Sequence, residues 1–199
     1  MDINYKIQFF SDWHCGSGLA KGADVDALVI KDKNSMPFVP GKTIKGLLRE
    51  AVEDILTFRK ETNKSALAAL FGNSEDKDNL KNSQNEKENK VKKGCLFFTN
   101  AELDNNQYQA IIIKGVVKYL YHSVASTAIG DNGIAKDYSL RKMEVVVPCT
   151  LYGKIVDVPE EKIELIMDGL QFIKRLGRNR NRGLGRCQFT EIEEKGDKQ

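Results

Sequence analysis

The chain has 199 residues, which is enough for one sizeable hydrophobic core or two very small ones. Hydrophobic residues make up 41% and charged residues 30%, a balance typical of soluble globular proteins, and no apolar run approaches the roughly 20 residues that a membrane-spanning helix needs. The formal net charge is only +3, so a case for nucleic-acid binding depends on where the charges lie.

The first part of the chain predicts one strand and two helices. Residues 1–10 mix charged and apolar side chains from the start, unlike a signal peptide, so we expect a cytoplasmic protein. Apolar and polar side chains alternate over residues 4–10, which predicts a half-buried strand. After a proline-rich segment, apolar residues at helical spacing predict a helix over residues 44–56, with Thr43 as its cap. A second, short helix is predicted over residues 65–70.

The segment of residues 73–93 is almost wholly polar. It cannot bury enough apolar surface to offset its loss of conformational entropy on ordering. We therefore expect a mobile surface insertion within a single domain of residues 1–199, and not a linker between two domains. The four cysteines are widely spaced and form no CxxC pair, which favours reduced, mostly buried thiols over a zinc site.

The remaining elements complete a recognisable order. A strand begins over residues 96–99, residues 110–120 fit either a helix or a strand, and residues 143–156 are strand-like. Residues 160–176 predict a helix, and residues 187–192 predict a last strand. The firm elements follow the order βαββαβ, so the expected fold class is α+β and ferredoxin-like, as in the RNA-recognition fold. A fold of this kind does not by itself give a function.

A basic, glycine-rich segment joins the last helix to the last strand. Residues 174–186 contain six basic side chains and no acidic one, with glycines at 177, 183 and 185. Glycine allows backbone conformations and a close approach to phosphate that a Cβ would prevent, and arginine offers two parallel donors to a phosphate. The segment therefore favours a polyanion such as RNA. Taken alone, it also fits a solvated loop that closes the helix onto the strand.

Three other segments join the basic one in a known pattern. The sequence is HCGSG at residues 14–18 and DVDALVIKD at 24–32, which leads into PGKTIKG at 40–46 and Arg49; SLRKME follows at 139–144, with Gly153 beyond it. Together with residues 177–186, these segments resemble the RAMP superfamily of CRISPR-associated proteins. Within that superfamily the chain is most similar to the repeated backbone subunit of type III (Csm/Cmr) effector complexes.

The resemblance implies a modified RNA-recognition fold with inserted loops and a thumb hairpin, here at about residues 127–141. It implies that several copies of the chain stack into a filament along a CRISPR RNA, together with other type III effector subunits and away from any membrane. Each thumb then interrupts the duplex of guide and target RNA. Backbone subunits of active complexes also cut the target RNA, so the resemblance implies an endoribonuclease.

Asp26 is the catalytic candidate that the resemblance implies. Cleavage in the family depends on a metal and gives the products of attack by a ribose 2′-hydroxyl, so we expect Asp26 to bind Mg²⁺ or to accept the hydroxyl proton. Asp24 is either a second metal contact or a solvated loop residue. The alternative for Asp26 is that it caps a turn in a chain that does not cleave.

The expected RNA contacts lie in the His14 loop, at the start of the first helix, in the thumb and in the basic segment. His14 lies in the loop that matches a histidine in contact with guide RNA in the family, with a purely structural role as the alternative. Ile134, like Ile129, is a candidate apolar wedge between bases. Residues at the start of the first helix combine free N–H groups with positive charge. The full set of RNA-binding candidates is His14, Lys42, Thr43, Lys45, Arg49, Ile134, Arg141, Arg178, Arg180, Arg182, Gly183 and Gly185.

Three other functions compete with target cleavage. A binding-only scaffold subunit of the same class would keep the RNA contacts and lack a working Asp26. A ribonuclease that processes precursor guide RNA would generally have two ferredoxin-like domains and use a histidine, and this chain is short for two such domains. An unrelated RNA-recognition protein would stack bases on its sheet, but the usual aromatic RNP motif is missing from the sequence.

Overall fold

The computed structural model describes residues 1–22, 24–61, 64–72 and 93–192. The described strands are β1 (Ile3–Phe9), β2 (Phe97–Phe98), β3 (Tyr121–Ser126), β4 (Arg141–Val146), β5 (Thr150–Val156) and β6 (Cys187–Glu191). The described helices are α1 (Gly41–Phe58), α2 (Lys64–Phe71), α3 (Asn105–Lys114) and α4 (Ile163–Phe172). The polar insertion expected at residues 73–93 lies outside the described residues, apart from Lys93.

Strand β1 forms the centre of a four-stranded antiparallel sheet with the order β2-β5-β1-β6. Alternate β1 side chains are buried (Ile3, Tyr5, Ile7 and Phe9), which confirms the period-two prediction. Helices α1 and α4 cover this apolar face and pack closely, because a Cβ on Gly169 would lie only 2.7 Å from Leu48 Cδ1. The elements β1, α1, β2, β5, α4 and β6 therefore reproduce the expected βαββαβ order, and the α+β, ferredoxin-like fold is confirmed.

The segment predicted as one strand over residues 143–156 is two strands in different sheets. Strand β4 pairs with β3 in a separate two-stranded sheet, whereas β5 pairs with β1. Pro148 lies in the bend between them, where a residue without an N–H cannot continue a ladder. This break allows a hairpin to project from the main sheet.

The ambiguous segment over residues 110–120 is the end of α3 followed by a 3₁₀ turn, Val117–Leu120. The Asp104 side chain caps α3 by accepting from Asn106 N–H at 3.0 Å. Gly115 ends the helix in the left-handed conformation, with φ of 62°. Both caps are standard signals, and together they resolve the ambiguity in favour of a helix.

The ends of two predicted helices differ from expectation. Helix α1 begins at Gly41, so Thr43 is not its cap; the Asn100 side chain instead accepts from Gly41 N–H at 3.1 Å. Helix α4 ends at Phe172, four residues early, because the chain turns extended at Ile173. In the described part of the chain, no helix is both long and apolar enough to cross a membrane.

The cysteines are only partly as expected. All four are free, and Cys15 and Cys187 are buried. Cys149 is half-buried and Cys95 is exposed. Burial raises the pKa of the Cys187 thiol to about 12, which keeps it protonated and unreactive at neutral pH.

Candidate nucleic-acid interface

A long hairpin carries the segment that was expected to be the thumb. Strands β3 and β4 pair from Tyr121↔Val146 to Ser126↔Arg141, and an isolated bridge closes the tip between Ile129 and Ala135. The Ser139 side chain ties the two arms together, since its Oγ lies 2.6 Å from Thr127 Oγ1. Residues 127–140 therefore form the distal part of a hairpin that begins at residue 121, and the thumb role of that tip stays a prediction.

Four large apolar side chains of the hairpin tip are exposed to solvent. Ile134 is 65% exposed and Tyr138 is 99% exposed, and Ile129 and Leu140 are also open to solvent. Sequence reasoning named the two isoleucines and missed Tyr138, whose only signal was an aromatic residue within a polar turn. Arg141 is exposed where the tip joins β4. The tip thus presents apolar surface beside a cation.

The loop that carries Asp26 runs along the base of this hairpin. Ala27 forms a parallel bridge with Met143 of β4. The Asp26 N–H donates to Lys142 O at 2.8 Å, and the Lys142 N–H donates to Asp26 Oδ2 at 2.7 Å. Asp24 Oδ1 lies 3.7 Å from Lys142 Nζ. The Asp26 side chain is therefore both exposed and held in one orientation by the backbone of β4.

His14 occupies a buried position between the base of the hairpin and the basic loop, residues 174–186. Its side chain is only 1% exposed, and Nδ1 lies 2.7 Å from Glu144 O. A carbonyl oxygen only accepts, so Nδ1 carries the hydrogen and Nε2 is left as the acceptor. Burial lowers the pKa of His14, and the nearby Arg178 lowers it further, against the opposing effects of Glu144. Buried and neutral, His14 fits a structural role in this arrangement, and its contact with guide RNA stays a prediction.

Two of the three glycines in the basic loop make room for the protein's own backbone. Gly177 has φ of 98°, and a Cβ there would collide with His14 O, to which Arg178 N–H donates at 2.9 Å. Gly185 has φ of 68°, and a Cβ there would collide with Leu176 O. At Gly183, in contrast, no neighbouring atom lies within 4 Å of the position that a Cβ would take. Close approach by a ligand therefore remains possible at Gly183, whereas Gly185 serves internal packing.

The arginines of this loop point outward and keep their charge available. Arg178, Arg180 and Arg182 are exposed, and within the described part of the chain none of them forms an ion pair with a carboxylate. The loop is nevertheless ordered, because Arg182 N–H donates to Asn179 O at 2.8 Å and Arg175 Nη1 donates to Arg180 O at 3.2 Å. The result is an uncompensated positive surface on a fixed backbone.

A small apolar cluster joins the three segments. Leu184 of the basic loop packs against Ala27 of the Asp26 loop and against Met143 and Val145 of β4, with Val124 of β3 beside them. This cluster is separate from the main core. It brings the predicted catalytic loop, the basic loop and the hairpin base onto one part of the surface, which sequence spacing alone does not reveal.

The start of α1 adjoins this surface through Cys15, the neighbour of His14. Thr43 and Lys42 lie near the Cys15 thiol, and both lower the pKa of Cys15 against the larger effect of burial, which raises it. Gly41 and Thr43 N–H groups already have partners, Asn100 Oδ1 and Pro40 O. The exposed Lys42 and half-buried Lys45 are therefore the better anion-binding features here.

The side chain of Arg49 contacts the end of α2. Its Nη1 donates to Gly72 O at 3.2 Å, which caps the end of α2. The side chain is half-buried and committed to that contact. Arg49 therefore helps to hold α2 against α1, and its contact with RNA stays a prediction.

The residues around Asp26 fit a metal site that the protein forms together with RNA better than one formed by the protein alone. Within the described residues, no group of three or more histidine, cysteine, aspartate or glutamate side chains could hold a metal ion. Mg²⁺ commonly binds through one or two carboxylates and completes its shell with water and substrate phosphate. Asp26, with Asp24 close by in the same loop, suits that arrangement only when RNA supplies the remaining oxygens.

Comparisons with known proteins agree with this architecture. Two solved structures of similar fold are described as the type III-B Cmr-beta complex bound to cognate target RNA and the same complex in its apo state. The first matching chain is 10% identical, with a TM-score of 0.69 over 96% of this chain and 97% of that one. The second is 11% identical, with a TM-score of 0.67 over 98% of both chains. No curated protein has a significant match to the sequence.

The family assignment comes from the sequence itself. The family model of the RAMP superfamily matches residues 6–188, which include most of β1, both core helices, the hairpin and the basic loop. A match of that extent covers most of the chain and every segment of the interface described above. The protein therefore belongs to the RAMP superfamily.

Proposed function

We propose that this protein is an RNA-binding backbone subunit of a type III effector complex, and that Asp26 makes it an Mg²⁺-dependent endoribonuclease for target RNA. One observation carries the proposal: the Leu184 cluster places the basic loop, the Asp26 loop and the hairpin base together on one surface. The similar fold of chains in type III-B Cmr-beta complexes, one of them bound to target RNA, supports it.

The binding surface suits an RNA backbone. Arg178, Arg180 and Arg182 offer forked donors to phosphates from a loop that is ordered before RNA binds, so little conformational entropy is lost on binding. Lys42 adds charge from the start of α1. The arginines and Lys42 define a path for guide RNA, and copies of the chain that follow one another along that guide would form a filament.

The hairpin tip suits an interruption of the base stack. Ile134 and Tyr138 expose apolar surface that water does not favour, and the Ser139 bonds keep the tip in one shape. Apolar wedges of this type enter between bases and unstack them. An unstacked target nucleotide is free to rotate its 2′-hydroxyl toward the adjacent phosphate, which is the geometry that RNA cleavage needs.

The Asp26 carboxylate would act on that nucleotide. One oxygen accepts from Lys142 N–H, which fixes the group, and the carboxylate accepts the proton of the ribose 2′-hydroxyl. The 2′-oxygen then forms a bond to phosphorus while the bond to the 5′-oxygen breaks. The departing 5′-oxygen takes a proton from water, which leaves a 2′,3′-cyclic phosphate and a 5′-hydroxyl end. Lys142, whose Nζ lies 3.7 Å from Asp24 Oδ1 in the same loop, adds a positive charge to this part of the surface. Bound Mg²⁺ would supply further charge stabilisation, held by Asp26 and RNA phosphate.

A binding-only scaffold is the second candidate. It is favoured by the bond between Asp26 Oδ2 and Lys142 N–H, since an aspartate that only caps a turn would make the same contact. The two functions share the RNA surface and differ only in what Asp26 does.

Target cleavage by the reconstituted complex separates the two candidates. We expect the wild-type complex to cut target RNA with Mg²⁺ and to stop when EDTA is added. The Asp26→Asn variant should bind target RNA normally and cut at least ~100-fold more slowly. Asp54→Asn, on the exposed side of α1, is the matched control and should cut at the wild-type rate. Full cleavage by Asp26→Asn would leave the scaffold function as the correct one.

A further inference from the structure

Glu144 of β4 joins the Asp26 loop to the hairpin through contacts on both its backbone and its side chain. Its N–H donates to Ala27 O at 3.0 Å. Its carboxylate accepts from Val29 N–H at 3.0 Å through Oε2 and from Lys31 Nζ at 2.7 Å through Oε1. Glu144 therefore holds three alternate residues of the segment that follows Asp26, namely Ala27, Val29 and Lys31.

The same residue also fixes the segment before the loop. Glu144 O accepts from His14 Nδ1 at 2.7 Å. His14 O in turn accepts from Arg178 N–H in the basic loop. Glu144 thus connects the Asp26 loop, the His14 loop and, through His14, the basic loop.

From these contacts we infer that Glu144 is the positioning residue that sets the Asp26 carboxylate for cleavage. The inference rests on the proposed function of Asp26. The Glu144 side chain is only 15% exposed and both its oxygens have partners, so it is not available to touch RNA. It acts through the loop that it holds.

Loss of this carboxylate has a local consequence. Val29 N–H and the Lys31 ammonium would lose their acceptor in a half-buried site, where an unsatisfied donor is costly, and the loop would move to find others. Asp26 would keep its bonds to Lys142 but lose the fixed point at Val29, further along the same loop. Displacement of a catalytic group by about 1 Å can lower a rate by roughly 100-fold.

The mechanism predicts a loss of rate without a loss of binding. In the reconstituted complex, Glu144→Ala should lower the single-turnover cleavage rate at saturating target RNA by at least about tenfold, with target affinity within about twofold of wild type. Glu144→Gln keeps an amide oxygen for Val29 N–H and should recover most of that rate. Glu50→Ala, an exposed glutamate of α1, is the control and should cleave normally.

A second readout is independent of cleavage. Amide hydrogen exchange of residues 24–30 should be at least about tenfold faster in Glu144→Ala than in wild type, and near wild type in Glu144→Gln. If the wild-type complex does not cut RNA, the proposed function fails and this exchange measurement still tests the positioning role. Unchanged exchange together with an unchanged rate in Glu144→Ala, or an equal loss of rate and target affinity, would overturn the inference.

Discussion

The contact between the basic loop and the His14 loop can be tested with two alanine substitutions that differ in a single respect. Gly177 and Gly183 have nearly the same backbone angle, φ of 98° and 91°. An alanine at such an angle costs roughly 1–2 kcal/mol at either position. At Gly183 the added Cβ has no atom within 4 Å, so the cost ends there.

At Gly177 the added Cβ would collide with the His14 carbonyl oxygen, which belongs to the backbone and cannot rotate away. The loop must then shift, and the bond from Arg178 N–H to His14 O is lost. Leaving that buried carbonyl without a partner adds roughly 1–3 kcal/mol. We therefore expect Gly177→Ala to lower the free energy of unfolding by about 2–5 kcal/mol, against about 1–2 kcal/mol for Gly183→Ala.

Urea denaturation of the two variants and of wild type measures this difference directly. RNA affinity at fixed salt should also fall further for Gly177→Ala, since the shift moves Arg178 and its neighbours. Equal free energies of unfolding for the two variants, within about 0.5 kcal/mol, would show that the loop is not anchored on His14.

Three further predictions concern charge, pH and the hairpin. Replacing both Arg180 and Arg182 by alanine should weaken RNA binding and reduce the slope of log affinity against log salt by about 1.4, measured by titration at several salt concentrations; an unchanged slope would exclude phosphate contacts. Burial lowers the pKa of His14, so as pH falls this histidine is protonated in the unfolded chain before it is protonated in the folded protein. The free energy of unfolding should therefore have its full value above about pH 6.5 and fall as pH drops below it. Denaturation at about pH 7.5 and about pH 5.5 should show a smaller difference for His14→Asn than for wild type. Ile134→Ser should leave the free energy of unfolding within about 0.5 kcal/mol but weaken target-RNA binding by about 1–2 kcal/mol, and equal affinity would remove the wedge role.

Local patterns in the sequence were enough to predict the order of the elements. The alternation in β1 and the helical spacing in α1 each reflect one apolar face against a single core, so the βαββαβ order and the fold class follow from them. Asp104 and Gly115 cap α3 in the structure, but the apolar residues between them left the type of element open in the sequence.

Contacts between distant segments could not be predicted in the same way. The cap of α1 comes from Asn100, 59 positions away along the chain, and Thr43 was the better local choice. Arg49 carries the charge that an RNA contact needs, yet its partner is Gly72 O. Glu144 shows the same limit, since nothing in its neighbours indicates that His14 and Val29 converge on it.

Glycine in the basic loop illustrates how one residue type can have two meanings. A glycine-rich segment beside arginines is typical of phosphate binding, and Gly183 fits that interpretation. Gly177 and Gly185 instead allow the loop to lie against the backbone of His14 and Leu176. Only the three-dimensional arrangement separates these two uses, because both need a positive φ or a missing Cβ.

We propose that guide RNA follows the surface formed by the basic loop, the start of α1 and the hairpin. Photo-crosslinking of the reconstituted complex with a guide RNA that carries 4-thiouridine, followed by mass spectrometry, tests it most directly. We expect crosslinks on residues 178–183, at Lys42 and on the hairpin tip. Crosslinks confined to the opposite ends of the helices, around Glu53 and Glu164, would show that guide RNA does not follow this surface.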